Sequence, residues 1–367
     1  MIFKLAGSHG PETAAAAIVL LAITGNLVSR FVPKADAAAP ELKIHLNPIP
    51  ESWRVFALAR RQLAVRNAML GVSWFWFVGT ALTAQLPNYA ETHLGGDETL
   101  YLFALGVFSI GTGIGSLLCE KLSARTVEIG LVPLGAFGMS FFLFDLYFAR
   151  SGVASVAGLE IAGFLRQPGS WRVALDLFGV GMFAGFFLVP LFALIQSRTP
   201  KQELSRVISG VNIQNACFIV LAAVLGIVLQ MEQFTIGSTT IRMPGLGIPQ
   251  LFLCLAIANT LVAIWIFTIV PEFMMRFLSW MFVRALYRLQ LHGIEKNVPD
   301  EGPALIVCNH VSYMDALILS ASIPRPVRFV MYYKIFNVPV MRWIFRTSKA
   351  IPIASAKEDP EVTRRAF

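Results

Sequence analysis

Charged residues are scarce in this sequence. Asp, Glu, Lys and Arg make up 14% of its 367 residues, whereas 56% of the residues are hydrophobic. A soluble domain is about 25% charged, so the charges here are too few to cover a globule of this length with water-facing surface. The composition excludes a soluble enzyme, a disordered tail or a nucleic-acid-binding protein as a description of the whole chain. It predicts a protein that lies mostly in lipid.

Cysteines are also few and widely separated. The four are Cys119, Cys217, Cys254 and Cys308. They form neither a Cys-x-x-Cys pair nor the framework of a secreted domain, so we expect no disulfide and no metal site. The net charge is +8, but no basic stripe with interleaved aromatic residues is present. This charge fits anionic lipid headgroups or a phosphorylated substrate better than nucleic acid.

Seven apolar stretches are long enough to cross a hydrocarbon core of about 30 Å. They lie at about 13–29, 68–86, 99–118, 127–148, 173–196, 207–231 and 248–271. A polar stretch at 31–67, rich in Pro, Arg and Lys, separates the first two. The connections on its side of the membrane carry more than twice as many Lys and Arg residues as those on the other side. The positive-inside rule therefore predicts that this stretch, and everything after the seventh span, is cytoplasmic.

Amide side chains interrupt two of the predicted spans. Asn212, Gln214 and Asn215 lie within one turn of the sixth span, and Asn259 lies in the seventh. Unpaired amides are unfavourable in lipid, so we expect these side chains to face the interior of the bundle. There they either join neighbouring helices or line a polar path for a transported substrate, and the sequence leaves both interpretations open.

Two other patterns within the spans concern helix packing. Gly111, Gly113 and Gly115 lie in the third span, without the spacing or the preceding strand of a dinucleotide-binding motif. We expect them to allow close approach of another helix. In the fifth span Arg172 precedes Asp176 by one turn, which predicts a local ion pair.

The fifth and sixth spans also carry a family resemblance. Residues 184–196 (AGFFLVPLFALIQ) and 211–215 (VNIQN) resemble the penultimate helices of bacterial lysophospholipid transporters of the major facilitator superfamily. The resemblance covers about 13–271. It implies two six-helix halves joined by a long cytoplasmic loop, with 31–67 as that loop and the first span as the sixth helix. Five further helices would then precede this sequence.

The pattern changes after Pro271. Residues 272–290 place Arg276, Arg284 and Arg288 within about a third of the helical circumference and are otherwise largely apolar. This pattern predicts a helix lying in the cytoplasmic interface, the alternative being a partial eighth span. From residue 291 onward the sequence is typical of an α/β domain, with a buried strand at 304–308 and a helix at 316–323.

A His-x4-Asp motif follows the predicted strand. It consists of His310 and Asp315, with Asn309 directly before the histidine. Acyl transfer from a thioester to a hydroxyl needs a base that removes the hydroxyl proton, and histidine suits that role. A carboxylate on the other ring nitrogen orients the imidazole and stabilises its protonated form. The alternative is that His310 is a turn residue and Asp315 a helix cap.

The same segment resembles the glycerolipid acyltransferase family, which includes 1-acylglycerol-3-phosphate and 2-acylglycerophosphoethanolamine acyltransferases. Asn309, His310 and Asp315 match the first family motif, and residues 331–353 resemble its second block. In the phosphatidic-acid-forming members of the family an arginine usually follows the Ile-Pro-Ile stretch, but here Ala354 and Ser355 follow it. Arg346, Lys349 and Lys357 are therefore the candidate phosphate contacts, with a lysophospholipid favoured as acceptor. The third family motif would lie beyond Phe367, so the resemblance implies an incomplete domain.

These patterns and resemblances predict a mainly α membrane protein. A seven-span partial major facilitator bundle (1–271) precedes the amphipathic helix (272–290) and the N-terminal portion of an α/β acyltransferase domain (291–367). The implied activity is transfer of an acyl group from acyl-ACP or acyl-CoA, as co-substrate, to a lysophospholipid that the bundle transports. We expect no bound cofactor or metal, no nucleic-acid partner, a bacterial-type inner membrane location and a cytoplasmic acyltransferase domain.

The sequence leaves two alternatives open. One is a lysophospholipid transporter with a non-catalytic C-terminal appendage. The other is a binding module in which the His-x4-Asp turn only caps a helix.

Overall fold

A computed structural model describes residues 9–33, 47–60, 62–123, 127–149, 159–236, 239–299, 302–355, 358–359, 361 and 364. It divides into two compact units, Met1–Leu46 and Asn47–Phe367. The first unit contains helix α1 (Gly10–Ser29), which is long and apolar enough to cross a membrane. All other elements belong to the second unit.

The second unit contains the six other predicted spans, each as a helix within about five residues of its predicted bounds. They are α3 (Leu63–Thr83), α5 (Glu98–Leu122), α6 (Leu131–Ala149), α8 (Ser170–Arg198), α9 (Leu204–Gln230) and α10 (Ile248–Ile269). Two short helices, α4 (Leu86–Thr92) and α7 (Ile161–Leu165), lie in the connections. The chain is thus a multi-pass, mainly α membrane protein, as predicted.

Helix α8 packs against α3, α5 and α6. On α5, a Cβ atom at Gly111 or Gly115 would collide with the backbone carbonyl of Phe178 or Met182 on α8, while Gly113 faces open space. The glycines therefore allow two helix backbones to touch, which confirms the packing prediction for two of the three. Apolar side chains fill the space between α3, α5, α6, α8 and α10.

The polar stretch at 31–67 contains a helix of its own. Helix α2 (Pro48–Arg60) occupies its second half, and α3 already begins at Leu63. Val55 of α2 is buried and packs against Gly210 of α9. The predicted loop thus contains a helix that packs against α9 and α3.

The last span is followed by a helix at almost the predicted position. Helix α11 (Pro271–Leu286) ends four residues before the predicted bound, because Tyr287 adopts an extended conformation. A short hairpin of β1 (Gln233–Ile236) and β2 (Thr239–Arg242) connects α9 to α10. Helix α11 packs against α6 of the bundle and against the segment that follows it in sequence.

The C-terminal segment is a small assembly of short elements. It contains α12 (Ile294–Asn297), α13 (Met314–Ser322), β3 (Val330–Tyr332), α14 (Tyr333–Phe336), α15 (Met341–Thr347) and β4 (Ile351–Ile353). Strands β3 and β4 pair in parallel, with Met331 opposite Pro352. Helix α13 confirms the helix predicted at 316–323.

The strand predicted at 304–308 is wrong. These residues have no regular secondary structure, and the side chains of Leu305 and Val307 are almost fully exposed. A strand requires a neighbour for its backbone hydrogen bonds. Within the described parts of the chain, the sheet that contains β3 and β4 has no third strand beside them.

Candidate active site

His310 and Asp315 meet at the start of α13. His310 lies in the irregular segment before the helix, and Asp315 lies in its first turn. The His310 Nδ1 atom is 2.9 Å from Asp315 Oδ2. The same carboxylate oxygen accepts the backbone N–H groups of Val311 at 2.7 Å and Ser312 at 2.8 Å. Asp315 therefore closes the turn that carries the histidine.

These contacts favour the ionised form of Asp315, the carboxylate of the His310–Asp315 dyad. The backbone N–H groups of Ser312 and Val311, together with His310, hold the pKa of Asp315 below its usual range. With Nδ1 donating to this carboxylate, Nε2 carries the ring lone pair. The His310 side chain is 71% exposed, so the imidazole is accessible from solvent.

Asp315 is not the N-cap of α13, in contrast to the alternative in which this residue only caps the helix. The N-cap residue of α13 is Tyr313, and the helix has no side-chain cap hydrogen bond. Asp315 instead bonds to groups that precede the helix, including the imidazole. Asn309 is exposed next to His310, and its supporting role stays a prediction.

The predicted phosphate contacts lie on and after α15. Arg346 is exposed on this helix. Lys349 lies just beyond the helix, and its Nζ atom is 3.0 Å from Glu272 Oε1 at the start of α11. Arg328 contacts the same carboxylate at 3.1 Å, so Lys349 shares its acidic partner with a second cation. Lys357 lies outside the described residues.

A buried ion pair connects the bundle to the C-terminal segment. Arg276 of α11 pairs with Glu128, which precedes α6, and both side chains are more than nine-tenths buried. Arg276 Nη1 also donates to the backbone carbonyl of Ile323, directly after α13, at 3.3 Å. Burial lowers the pKa of Arg276. Charge patterning had not identified Glu128, because the two partners lie far apart in the sequence.

The three arginines that the sequence grouped on one side of the predicted helix lie in different environments. Arg276 faces the protein interior, and Arg284 is exposed over the Trp280 ring, 5.8 Å from its centroid. Arg288 lies beyond the end of the helix. Arg276 is buried because the buried carboxylate of Glu128 pairs with it. The hydrophobic pattern of a single helix cannot reveal this partner, because Glu128 lies elsewhere in the sequence.

The amides of α9 occupy different environments. Asn215 is buried and shares a 2.8 Å hydrogen bond with Ser73 of α3. With its oxygen accepting from the Trp76 indole at 3.2 Å, its nitrogen donates to Ser73 and to the Val211 carbonyl. Asn212 is exposed and Gln214 is half-buried. The structure thus brings only Asn215 into an interhelical network, and a transport role for the three residues stays a prediction.

Two other polar groups in the bundle connect helices. The amide nitrogen of Asn259 donates to the Ala136 carbonyl and to Ser140 of α6, and its oxygen accepts from Trp74 of α3, all at 2.9 Å. Arg172 binds Asp145 of α6, with 2.9 Å between Nε and Oδ2. The ion pair predicted between Arg172 and Asp176 is replaced by this contact between helices.

Comparison with known proteins gives two separate similarities. The Acyltransferase family model matches residues 288–365, which include the His310 and Asp315 dyad. The N-terminal half of the chain is similar to lysophospholipid transporters. Identity to the lysophospholipid transporter LplT of Citrobacter koseri is 26% over 185 residues, which covers 49% of this chain and 42% of the relative. The corresponding protein of Salmonella paratyphi B is 26% identical over 191 residues, covering 49% and 40%.

These similarities cover parts of longer proteins. The chain spans about two fifths of the length of the curated relatives it matches. No solved structure matches it. One polypeptide therefore combines a membrane-helical part similar to lysophospholipid transporters with a C-terminal segment that matches the acyltransferase family.

Proposed function

We propose that this protein transfers an acyl group from an acyl thioester to the free hydroxyl of a lysoglycerophospholipid that its helical bundle moves across the membrane. The observation that carries the proposal is the pair of His310 and Asp315, joined at 2.9 Å with the imidazole accessible from solvent. The family match at 288–365 supports acyl transfer, and the similarity to lysophospholipid transporters supports the acceptor class.

The geometry supports a direct transfer. His310 Nε2 removes the proton of the lipid hydroxyl while the hydroxyl oxygen attacks the thioester carbonyl. The tetrahedral intermediate then collapses, the carbon–sulfur bond breaks, and the imidazolium returns its proton to the leaving thiolate. Asp315 stabilises the imidazolium formed between these steps. The donor is acyl-ACP or acyl-CoA, and no protein nucleophile is required.

The phosphate of the acceptor is assigned to the cations around α15. Arg346 is exposed and offers a fork of N–H donors that suits a phosphate. Lys349 contributes a second positive charge beside Glu272, and Lys357 is the third candidate from the sequence. Carrying both activities on one chain raises the effective concentration of transported lipid at the dyad.

The test compares two histidine substitutions in the full chain reconstituted into proteoliposomes. His310→Ala should lower acyl transfer from labelled acyl-ACP or acyl-CoA by about 10²-fold or more, because a general base contributes about 10²–10⁴-fold. His292→Ala is the matched control, since His292 is also exposed in the C-terminal segment and lies outside the dyad. Both variants should transport lysophospholipid like the parent.

Two outcomes would contradict the proposal. Undiminished acyl transfer by His310→Ala would remove the dyad from the chemistry. A parent protein that transports lysophospholipid but transfers no acyl group from either donor would favour a transporter with a non-catalytic C-terminal segment.

A further inference from the structure

A turn in the C-terminal segment presents apolar side chains to its surroundings. We define the apolar turn as residues 338–343, which comprise most of the connection between α14 and α15 and the first three residues of α15. Val340 is 83% exposed and Trp343 is 60% exposed, and Val338 and Met341 are also exposed. Arg342 and Arg346 are exposed beside them. Apolar side chains next to arginines are the combination found in segments that lie in a membrane interface.

The backbone of the apolar turn is strained at its most exposed residue. Val340 has φ 68° and ψ −52°, and the N–H of Met341 donates to the Pro339 carbonyl at 2.8 Å. This is a γ-turn, which is rare, and a β-branched side chain makes positive φ less favourable still. The strain holds an apolar side chain outward, and contact with water alone would not offset it. The arrangement is favourable when the side chain enters an apolar phase.

The contacts of α15 place the apolar turn near the end of the last span. Lys349, two residues after α15, is 3.0 Å from Glu272, and Glu272 is three residues after the end of α10. Helix α15 packs against α11, and its Phe345 stacks on Phe336. These contacts place α15, whose first residues belong to the apolar turn, beside α11, the helix that directly follows the last predicted span.

We infer that the apolar turn inserts into the cytoplasmic leaflet and that Arg342, within the turn, binds a phosphate of the bilayer lipids. The occupant of this surface is the bilayer itself, because the surface is apolar, carries cations, and is connected by Lys349 to the end of a membrane span. The inference rests on the proposed function in one respect: the same contact would let the acceptor reach the dyad without leaving the lipid.

The experiment measures lipid contact at single positions in the full chain. The four native cysteines are replaced, and Val340→Cys, Trp343→Cys and Asn297→Cys are each labelled with a fluorophore in vesicles of phosphatidylethanolamine and phosphatidylglycerol. Asn297 is exposed in the same segment and outside the apolar turn. Insertion by about 5–10 Å should make quenching by doxyl lipids at least about twofold stronger at 340 and 343 than at 297.

Two quenching results would contradict the insertion of the apolar turn. Quenching of the 340 and 343 labels by aqueous iodide, to the same extent as the 297 label, would overturn the inference. Protection from both quenchers would assign the surface to a protein, such as a second copy, and would also overturn it.

A measurement of acyl transfer distinguishes failure of this inference from failure of the proposed function. Val340→Asp with Trp343→Asp should lower acyl transfer to vesicle-borne lysophospholipid by about tenfold, because the local acceptor concentration is lost. Transfer to a dispersed, short-chain lysophospholipid should be unchanged. If the proposed function is wrong, the parent is inactive on both substrates, while the quenching result still reports on membrane insertion.

Discussion

Asp315 accepts three hydrogen bonds at one oxygen atom. Its Oδ2 accepts from the His310 ring and from two backbone N–H groups of the turn. The position of the imidazole and the shape of the turn therefore depend on the same carboxylate. Substitutions that change the size and the charge of the Asp315 side chain independently distinguish these two roles.

Asp315→Asn keeps the size of the side chain and removes its charge. We expect acyl transfer to fall by about 10²–10⁴-fold, because the imidazolium loses its stabilising partner and the tautomer of His310 is no longer fixed. Asp315→Ala should be at least as severe, since it also leaves two N–H groups of the turn without this acceptor. The measurement is kcat/KM for the acceptor lipid, with His292→Ala alongside. Parent-like kinetics for Asp315→Asn would show that the carboxylate is not needed.

The pH dependence of acyl transfer gives a second prediction at this scale. A lowered pKa keeps Asp315 ionised from its usual carboxyl range upward, so this group should add no inflection to kcat/KM between about pH 5 and pH 9. The measurement is the pH profile of kcat/KM for the parent and for Asp315→Asn. An inflection in this range that disappears in Asp315→Asn would contradict the assignment of an ionised carboxylate.

At the scale of single elements, the contact between α5 and α8 depends on the absence of side chains. The Gly115 position faces the Met182 carbonyl so closely that even a methyl group would collide with it, whereas Gly113 on the same helix faces open space. The two glycines thus offer a matched pair. Gly115 is required by the packing of α5 against α8, whereas Gly113 makes no such contact and only weakens the helix.

Gly115→Ala should destabilise the bundle by about 1–3 kcal/mol, because backbone cannot move aside as a flexible side chain can. Gly113→Ala should be neutral or stabilising by up to about 1 kcal/mol, the usual gain of alanine over glycine within a helix. Thermal unfolding of the purified protein in detergent compares the two variants. Equal effects would show that α5 does not touch α8 at Gly115.

The sequence predicted some helices correctly, missed one helix and predicted one strand that is not formed. The seven spans were predicted because hydrophobic length is a local property, and α13 was predicted from a similar local pattern. The strand at 304–308 was wrong, because an apolar run does not reveal whether a neighbouring strand exists to accept its hydrogen bonds. Helix α2 was missed, since its apolar side is short and is covered only by tertiary contacts, with α9 and α3.

At the scale of the whole molecule, α11 connects the membrane bundle to the segment with the dyad. Arg276 contacts Glu128 on one side and the carbonyl of Ile323 on the other. Glu272, at the start of the same helix, binds Arg328 and Lys349. One helix thus holds charged contacts to both parts of the chain.

Removing one partner of the buried pair should weaken this connection. Arg276→Met or Glu128→Gln should each destabilise the protein by about 3–5 kcal/mol, because a buried charge loses its partner. The double variant should be more stable than the sum of the single effects indicates, since no unpaired charge remains. Arg284→Met, at an exposed position of the same helix, is the control and should change the unfolding temperature little. Additive single effects would argue against a direct pair.

The sequence by itself determined the number of spans, the fold class and the His-x4-Asp motif, because hydrophobic length and short spacing are properties of neighbouring residues. Only the tertiary structure decided that Arg276 is buried against Glu128, that Arg172 pairs with Asp145, and that Lys349 contacts Glu272. Each of these pairs joins residues from different elements. Their energies depend on burial and distance, which the folded chain sets and the linear sequence does not contain.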